Sequence, residues 1–286
     1  MTDFVVGFGD NKIDYYVNQN MKYPGGNAVN FAIAGKRNGL NSYYVGSIPK
    51  DSDGELILTA LKENEVDFSF CNRISTPSEK VFVEVKEGDR IFLNSERGSR
   101  QTPELSDKLI ALCKKSLLVH SGCHANTEDK LTVLKKNNVT LSFDFSDVKK
   151  YRTEEYLKRV CPNITIAQFS VANDDGQEIN RLIDSCANYG VKYILLTKGN
   201  ESPLFVDSLS RQTYQGFIKR ADNVKDTMGA GDAYFSTFAI TLLSNLKQQP
   251  MSEDLITECF KTAADYAYEV LQVDGAFGCG SKIKTE

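Results

Sequence analysis

Between residues 102 and 197 short apolar runs alternate with longer amphipathic ones, and this alternation limits the fold more than any other feature of the chain. The pattern predicts helices over 103–115, 127–136, 153–160 and 174–188. It predicts strands over 117–120, 140–145, 164–167 and 192–197. Strands separated by helices and short connections cannot pair as hairpins. They form a parallel sheet covered on both faces, an α/β fold. Phe205 and Tyr214 mark two further short strands, and residues 4–8 and 41–46 read as buried strands near the start. Ser52 can cap a helix running to Glu63, and a last helix over 253–271 leads into a glycine-rich tail. No internal repeat or second boundary interrupts the pattern, so one domain over 1–286 is expected.

A second pattern interrupts the first. Lys80 to Val85 alternates apolar and polar, Glu87-Gly88-Asp89 turns, and Arg90 to Leu93 returns. That is a β-hairpin with period 2. With residues 12–23 it can form a small sheet apart from the main one, so lid strands are expected over about 12–23 and 76–97.

A net charge of −4 gives no electrostatic case for nucleic acid or an anionic membrane. No window reaches the length of a transmembrane helix, and the first ten residues, MTDFVVGFGD, carry an acid where a signal peptide has bases. Seven scattered cysteines without a C-x-x-C pair suit reduced thiols in a cytoplasmic protein.

The chemistry centres on Asp226-Thr227-Met228-Gly229-Ala230-Gly231-Asp232. The small, apolar stretch that follows reads as a long buried helix. A Gly-Ala-Gly turn therefore sits at a helix N-terminus, where free amides and the helix dipole attract an anion. Gly229, Ala230 and Gly231 would form that anion hole, with Asp232 beside it as a base. Together they suit phosphoryl transfer to a hydroxyl. The alternative is a tight turn with an acid that only favours the dipole. Pro24-Gly25-Gly26-Asn27 repeats the theme, with Asn27 as the expected N-cap of a small-residue helix. Asp10, Asn11 and Asp14 follow a buried strand at its carboxyl end, where open α/β sheets bind ligands. A solvated turn is the other reading of those residues.

The seven-residue motif resembles the Asp-Thr-x-Gly-Ala-Gly-Asp signature of the ribokinase-like (PfkB-type) carbohydrate kinases. Gly25-Gly26-Asn27-Ala28-Val29-Asn30 resembles the same family's N-terminal sugar-binding motif. The two stand about 200 residues apart in the family's order, and the likeness extends over nearly the whole chain. It implies a three-layer ribokinase-like fold with a central, mostly parallel sheet and a small β-sheet lid over the sugar. It implies ATP and Mg²⁺ as cofactors, and a sugar gripped by Asp10, Asp14, Gly25, Gly26, Asn27 and Asn30. Arg90 looks like the family's Gly-x-Arg position and would reach the substrate. Thr197-Lys198-Gly199 resembles the nucleotide motif, so Thr197 and Gly199 would contact ATP, although Ser202 replaces a glycine of that motif. Gly275 and Ala276 resemble the loop under the adenine and a monovalent cation such as K⁺, for which Asp226 would be a ligand. The family's Asn-x-x-Glu pair is not evident near residues 166–171, which leaves Mg²⁺ to the ATP phosphates and water.

Gly9-Asp10-Asn11, His124-Ala125 and Ser142 to Asp147 narrow the likeness to the fructoselysine 6-kinases, which act on amino-sugar conjugates. Asp144 would orient phosphates through Mg²⁺ or brace a loop. His120 and His124 lack the spacing of a metal site and read as hydrogen-bonding residues. A fructokinase, ribokinase or nucleoside kinase shares the same motifs. Tyr15, Tyr16 and Tyr23 supply ring types for a nucleobase cage. A sugar sensor without catalysis would not need Asp232. Because an exposed small sheet has edges to cover, a homodimer through the lid is expected.

Overall fold

The computed structural model describes residues 3–86, 89–98 and 101–283. The turn expected at Glu87-Gly88 lies outside the described residues. The chain opens with β1 (Phe4–Phe8), β2 (Lys12–Tyr16), β3 (Met21–Gly25), α1 (Asn27–Arg37) and β4 (Asn41–Val45). Then come β5 (Ser47–Pro49), α2 (Ser52–Glu63), β6 (Asn72–Ile74) and the hairpin β7 (Lys80–Lys86) and β8 (Asp89–Glu96). The alternating stretch folds as α3 (Asp107–Lys115), β9 (Leu118–Gly122), α4 (Glu128–Lys136) and β10 (Leu141–Asp144). It continues with α5 (Glu154–Val160), β11 (Ile166–Ser170), α6 (Gly176–Asn188) and β12 (Tyr193–Lys198). β13 (Glu201–Asp207), β14 (Gln212–Gln215), α7 (Ala230–Leu246), α8 (Glu253–Val270) and β15 (Ser281–Lys282) follow.

The main sheet has eight strands in the order β14-β13-β12-β11-β10-β9-β1-β4. From β4 to β12 every neighbour is parallel, and β13 and β14 add an antiparallel edge. The period-2 pattern of each strand sorts its side chains into two layers. Val6, Val119, Phe143 and Ala167 pack under α3, α4, α5 and α6. Val5, Leu118, Ile166 and Leu195 pack under α1, α7 and α8. This is the expected ribokinase-like arrangement of helix, sheet and helix.

The lid sheet runs β15-β3-β2-β7-β8. β2 and β7 are parallel and the other pairs antiparallel. Its own small core is Tyr16, Tyr23 and Val83. β15 comes from the glycine-rich tail; it pairs with β3 at Ser281 and Lys282.

Four boundaries differ from the sequence pattern, each for a local reason. α3 starts at Asp107 rather than residue 103, because Ser106 accepts the Leu109 amide at 3.3 Å and caps it. α2 is capped by Asp51 rather than Ser52, through the Gly54 amide at 2.8 Å. β11 lies later than expected because Cys161-Pro162-Asn163 makes a 3₁₀ turn first. Asn27 is not the cap of α1. Gly26 holds that place with φ of 114°, and a Cβ there would meet Asn11 Cα at 2.7 Å. Among the described residues no helix is long and apolar enough to cross a membrane.

Candidate active site

The carboxyl ends of β1, β9, β10, β11 and β12 face the N-termini of α1 and α7. Strand ends deliver Asp10, Asp144, Ser170 and Thr197, while the helix starts deliver Asn27, Asn30 and Asp232. The site thus assembles residues from both ends of the chain.

Asp232 lies at its centre. Its Oδ1 accepts Asn27 Nδ2 at 3.0 Å and its Oδ2 accepts Asn30 Nδ2 at 2.6 Å. Asn27 Nδ2 also donates to Asp144 Oδ2 at 3.0 Å, so one amide bridges two carboxylates. A carboxylate only accepts, which fixes the amide nitrogens toward it and turns the amide oxygens away. Asn27 Oδ1, Asn30 Oδ1 and Asp14 Oδ1 are buried acceptors with no donor among the described residues. Burial pushes the Asp232 carboxyl above its ordinary value, and the bonds from Asn30 and Asn27 pull it back. Burial, then the charge of Asp232, pushes Asp144 up to about 7.

Asp10 also has a structural role. Its Oδ2 accepts the Asn27 amide at 3.0 Å and its Oδ1 the Ala28 amide at 3.3 Å. Both oxygens cap α1, so Asp10 places Asn27 in the site. Gly25 and Gly26 bring the chain close at the same point. A Cβ on Gly25 would stand 3.1 Å from Asp14 Oδ2.

The turn before α7 has the expected form. Gly229 caps the helix in the left-handed region at φ 73°, with no side chain bonded to the first-turn amides. The Ala230 amide leans on Thr227 O at 3.3 Å. Among the described residues no acceptor takes the amides of Gly229, Gly231 or Asp232. Of the expected trio, the amides of Gly229 and Gly231 are left without an acceptor, and that of Ala230 is not.

A cleft of about 770 Å³ opens beside this turn. Gly231, Ala230 and Thr227 form one end, with Thr197 and Gly199 on the opposite wall. Lys198, Lys219 and Arg220 line it as cations, and Ala264, Ala267 and Leu271 give it an apolar floor. The cations just before the motif escaped the sequence reading, because only the fold brings them to the cleft. Gly275 and Ala276 are not part of its wall. They pack behind the turn, where the Gly275 amide donates to Asp226 Oδ2 at 2.8 Å.

Asp226 is fully buried and accepts three hydrogen bonds. Its Oδ1 accepts the Met228 amide at 2.9 Å, and its Oδ2 also accepts the Tyr16 hydroxyl. Both acceptor positions of Oδ2, where the resemblance implies a cation ligand, are taken by donors of this chain, and Oδ1 keeps one. Burial and the Asp226 charge raise the Tyr16 phenol well above its ordinary value. Arg90, on β8, reaches Met228 Sδ and lies near Asp14, so it touches the turn as well as the lid.

The tyrosines form no open cage. Tyr16 and Tyr23 stack edge-on at 4.8 Å inside the lid core, and the Tyr15 hydroxyl donates to Asp53 at 2.8 Å. A nucleobase cage needs exposed ring faces, so the tyrosines lend no support to a nucleoside kinase. His120 is buried between Phe31 and Phe235, with Nδ1 2.8 Å from Ser142 Oγ. Burial lowers it to about 3, so it is a neutral hydrogen-bonding ring. His124 stands edge-on to Tyr151 at 5.4 Å.

The chain is similar to known proteins over nearly its whole length. The model of the pfkB family carbohydrate kinases matches residues 3–282. The fructosamine kinase FrlD of Bacillus subtilis is 32% identical over 286 residues, covering 99% of this chain and 95% of its own. The fructoselysine 6-kinase of Escherichia coli is 26% identical over 233 residues, covering 80% and 85%. Among solved structures, ribokinase from Giardia lamblia superposes with a TM-score of 0.80 at 19% identity, covering 99% of this chain and 97% of its own. Arabidopsis thaliana ribokinase complexed with ribose and ATP gives 0.77 at 21% identity, covering 97% and 95%. The free helix-start amides, the half-buried aspartate beside them and the match over nearly the whole length agree: the chain belongs to the pfkB family of carbohydrate kinases.

Proposed function

We propose that this carbohydrate kinase uses ATP to phosphorylate an amino-sugar conjugate, with fructoselysine giving fructoselysine 6-phosphate. The carrying observation is the position of Asp232, between the cleft and three donor-less acceptors. Asp14 Oδ1, Asn27 Oδ1 and Asn30 Oδ1 suit a ligand rich in hydroxyl donors. The likeness to a fructosamine kinase and a fructoselysine 6-kinase supports the sugar class.

ATP with Mg²⁺, when bound in the cleft, supplies the γ-phosphoryl group. Thr197, Gly199, Lys198, Lys219 and Arg220 would hold it, and the volume, cations and apolar floor fit such a ligand. Asp14, Asn27 and Asn30 orient the sugar, aided by Gly25 and Gly26 at close approach. Asp232 takes the proton from the attacking hydroxyl. The amides of Gly229 and Gly231 meet the charge that builds on the phosphoryl oxygens. Gly275 and Ala276 back the turn, and Arg90 ties the lid to it. The lid excludes water from the phosphoryl group. Seven free cysteines suit a cytoplasmic setting.

The deciding experiment is ADP release with fructoselysine, other fructosamines, fructose, ribose and adenosine. Highest kcat/KM with fructoselysine is expected. Preference for fructose, ribose or adenosine would replace the sugar and keep the chemistry. Binding without turnover across the panel would favour a sensor.

The paired carboxylates set a pH dependence. A base works ionised, and Asp232 and Asp144 both titrate above the ordinary carboxylate value. Turnover should therefore fall on the acid side at a pH above the ordinary carboxylate range. Asp144→Asn removes a like charge and moves that acid limb to lower pH. For stability the sign is opposite to a salt bridge. A folded pKa above the unfolded one makes ionisation unfavourable to folding, fully so above about pH 7 and not at all below about pH 4. Asp144→Asn should raise Tm by about 2–4 °C at pH 8 and by less at pH 5. Equal Tm gains at both pH values would remove the electrostatic cause.

A homodimer through the lid is part of the same proposal. β8 is an edge strand, and its Ile91, Phe92 and Leu93 are 42%, 63% and 46% exposed. A second copy's lid would cover them. Light scattering should give twice the chain mass, and Phe92→Lys should halve it. A monomeric wild type at tens of micromolar (about 10⁻⁵ M) would end this part of the proposal.

A further inference from the structure

Asp226 is held from three directions. The Met228 amide comes from the anion turn, the Gly275 amide from the C-terminal loop and the Tyr16 hydroxyl from lid strand β2. Both Asp226 and Tyr16 are completely buried. A carboxylate has about four lone-pair sites, so these donors fill both positions on Oδ2 and leave one on Oδ1. A cation in contact with Oδ2 would have to share that oxygen with a phenolic proton. The hydroxyl also joins segments 210 residues apart in sequence.

We propose that the Tyr16 hydroxyl takes the place at Asp226 that a monovalent cation would fill, and positions the anion turn from the lid without K⁺. Tyr16 is a positioning residue, since it acts through Asp226. The path is short. Asp226 Oδ1 holds Met228, and Met228 precedes Gly229. Oδ2 holds Gly275, and Ala276 packs against Gly229. Asp14, whose Oδ1 awaits a donor, lies two residues before Tyr16 on the same strand. The sugar grip and the brace of the phosphoryl site therefore share one rigid element. Sugar that orders β2 also orders the turn.

The rival explanation is packing alone, since the Tyr16 ring meets Tyr23 and Val83 in the lid core. Tyr16→Phe keeps the ring and removes only the hydroxyl. The proposal rests on the site roles above, so one arm of its test needs no turnover. Thermal unfolding of the full chain is followed in KCl, NaCl and tetramethylammonium chloride at equal ionic strength. Wild-type Tm should be the same in all three. The Tm of Tyr16→Phe should be higher in KCl, where K⁺ can neutralise the exposed carboxylate oxygen. In the turnover arm, wild-type kcat should vary by less than about twofold among the salts. Tyr16→Phe should lose roughly 10- to 100-fold in kcat in tetramethylammonium, keep KM for ATP within about threefold, and recover part of the loss in KCl. K⁺ activation of the wild type, or a K⁺-dependent wild-type Tm, overturns the proposal. So does a Tyr16→Phe chain with unchanged turnover, or one impaired equally in all three salts. If no sugar of the panel is turned over, the unfolding arm still decides.

Discussion

Replacing Asp232 with asparagine is expected to lower kcat by roughly 10²–10⁴-fold while sugar and ATP binding change little. The substitution keeps the size and planarity of the side chain and removes the charge that accepts a proton. Asn27 and Asn30 donate to both oxygens of the native carboxylate. Asparagine can accept from only one of them, so the variant also loosens the pair. At about 1.4 kcal/mol per tenfold, the loss corresponds to about 3–5 kcal/mol of barrier. Isothermal titration with the preferred sugar separates the two effects. A large loss of affinity would make Asp232 a binding residue first. Near-full turnover would remove it as the base altogether. Asn30→Ala offers a graded comparison. It deletes the shorter of the two bonds, at 2.6 Å, and leaves the base in place. Its acid limb should move to higher pH, because a hydrogen bond that favours the ionised form is gone.

Much of this architecture was legible because local chemistry and global fold agree in it. The alternation from residue 102 to 197 gave the parallel sheet, since only that arrangement covers so many buried strands. The turn before α7 was legible because Gly229 occupies a backbone region that few other residues enter. What could not be read was partnership across the chain. Asp10 follows a strand as a ligand residue would, yet it caps α1 seventeen positions later. Asn27 looks like an N-cap in sequence, yet its amide spans to Asp144 and Asp232. Tyr16 reads as a lid aromatic, and its hydroxyl proves to bond an aspartate in the distant signature. In each case a polar group bonds a partner that only tertiary folding brings near: backbone amides for Asp10, and carboxylates for Asn27 and Tyr16. Propensity has no term for such a neighbour. The lid's last strand went unread for a similar reason, since two residues carry no period.

The same reasoning predicts a second large loss at Gly229, by geometry instead of charge. Gly229→Ala should reduce kcat by about 10²-fold, the scale of losing one oxyanion-hole donor. Two effects act there. An alanine at φ 73° is strained, and its Cβ would stand 2.4 Å from Ala276 Cβ and 2.9 Å from Ala276 Cα. The turn must shift, and the amides of Gly229 and Gly231 shift with it. Removing the obstacle separates the two causes. Ala276→Gly in the same chain should restore part of the turnover if the clash dominates, and none if backbone strain does. Gly231→Ala is the contrasting control. It lies inside α7, and a Cβ there meets nothing within 4 Å. The fold should tolerate it, with Tm unchanged or slightly raised, since alanine favours a helix. Its methyl group would point into open space beside the cleft, so any defect should appear in KM for ATP. If Gly229→Ala retained turnover within about threefold, the free amides would not be where the transferring charge is held. The helix start would then be only a turn.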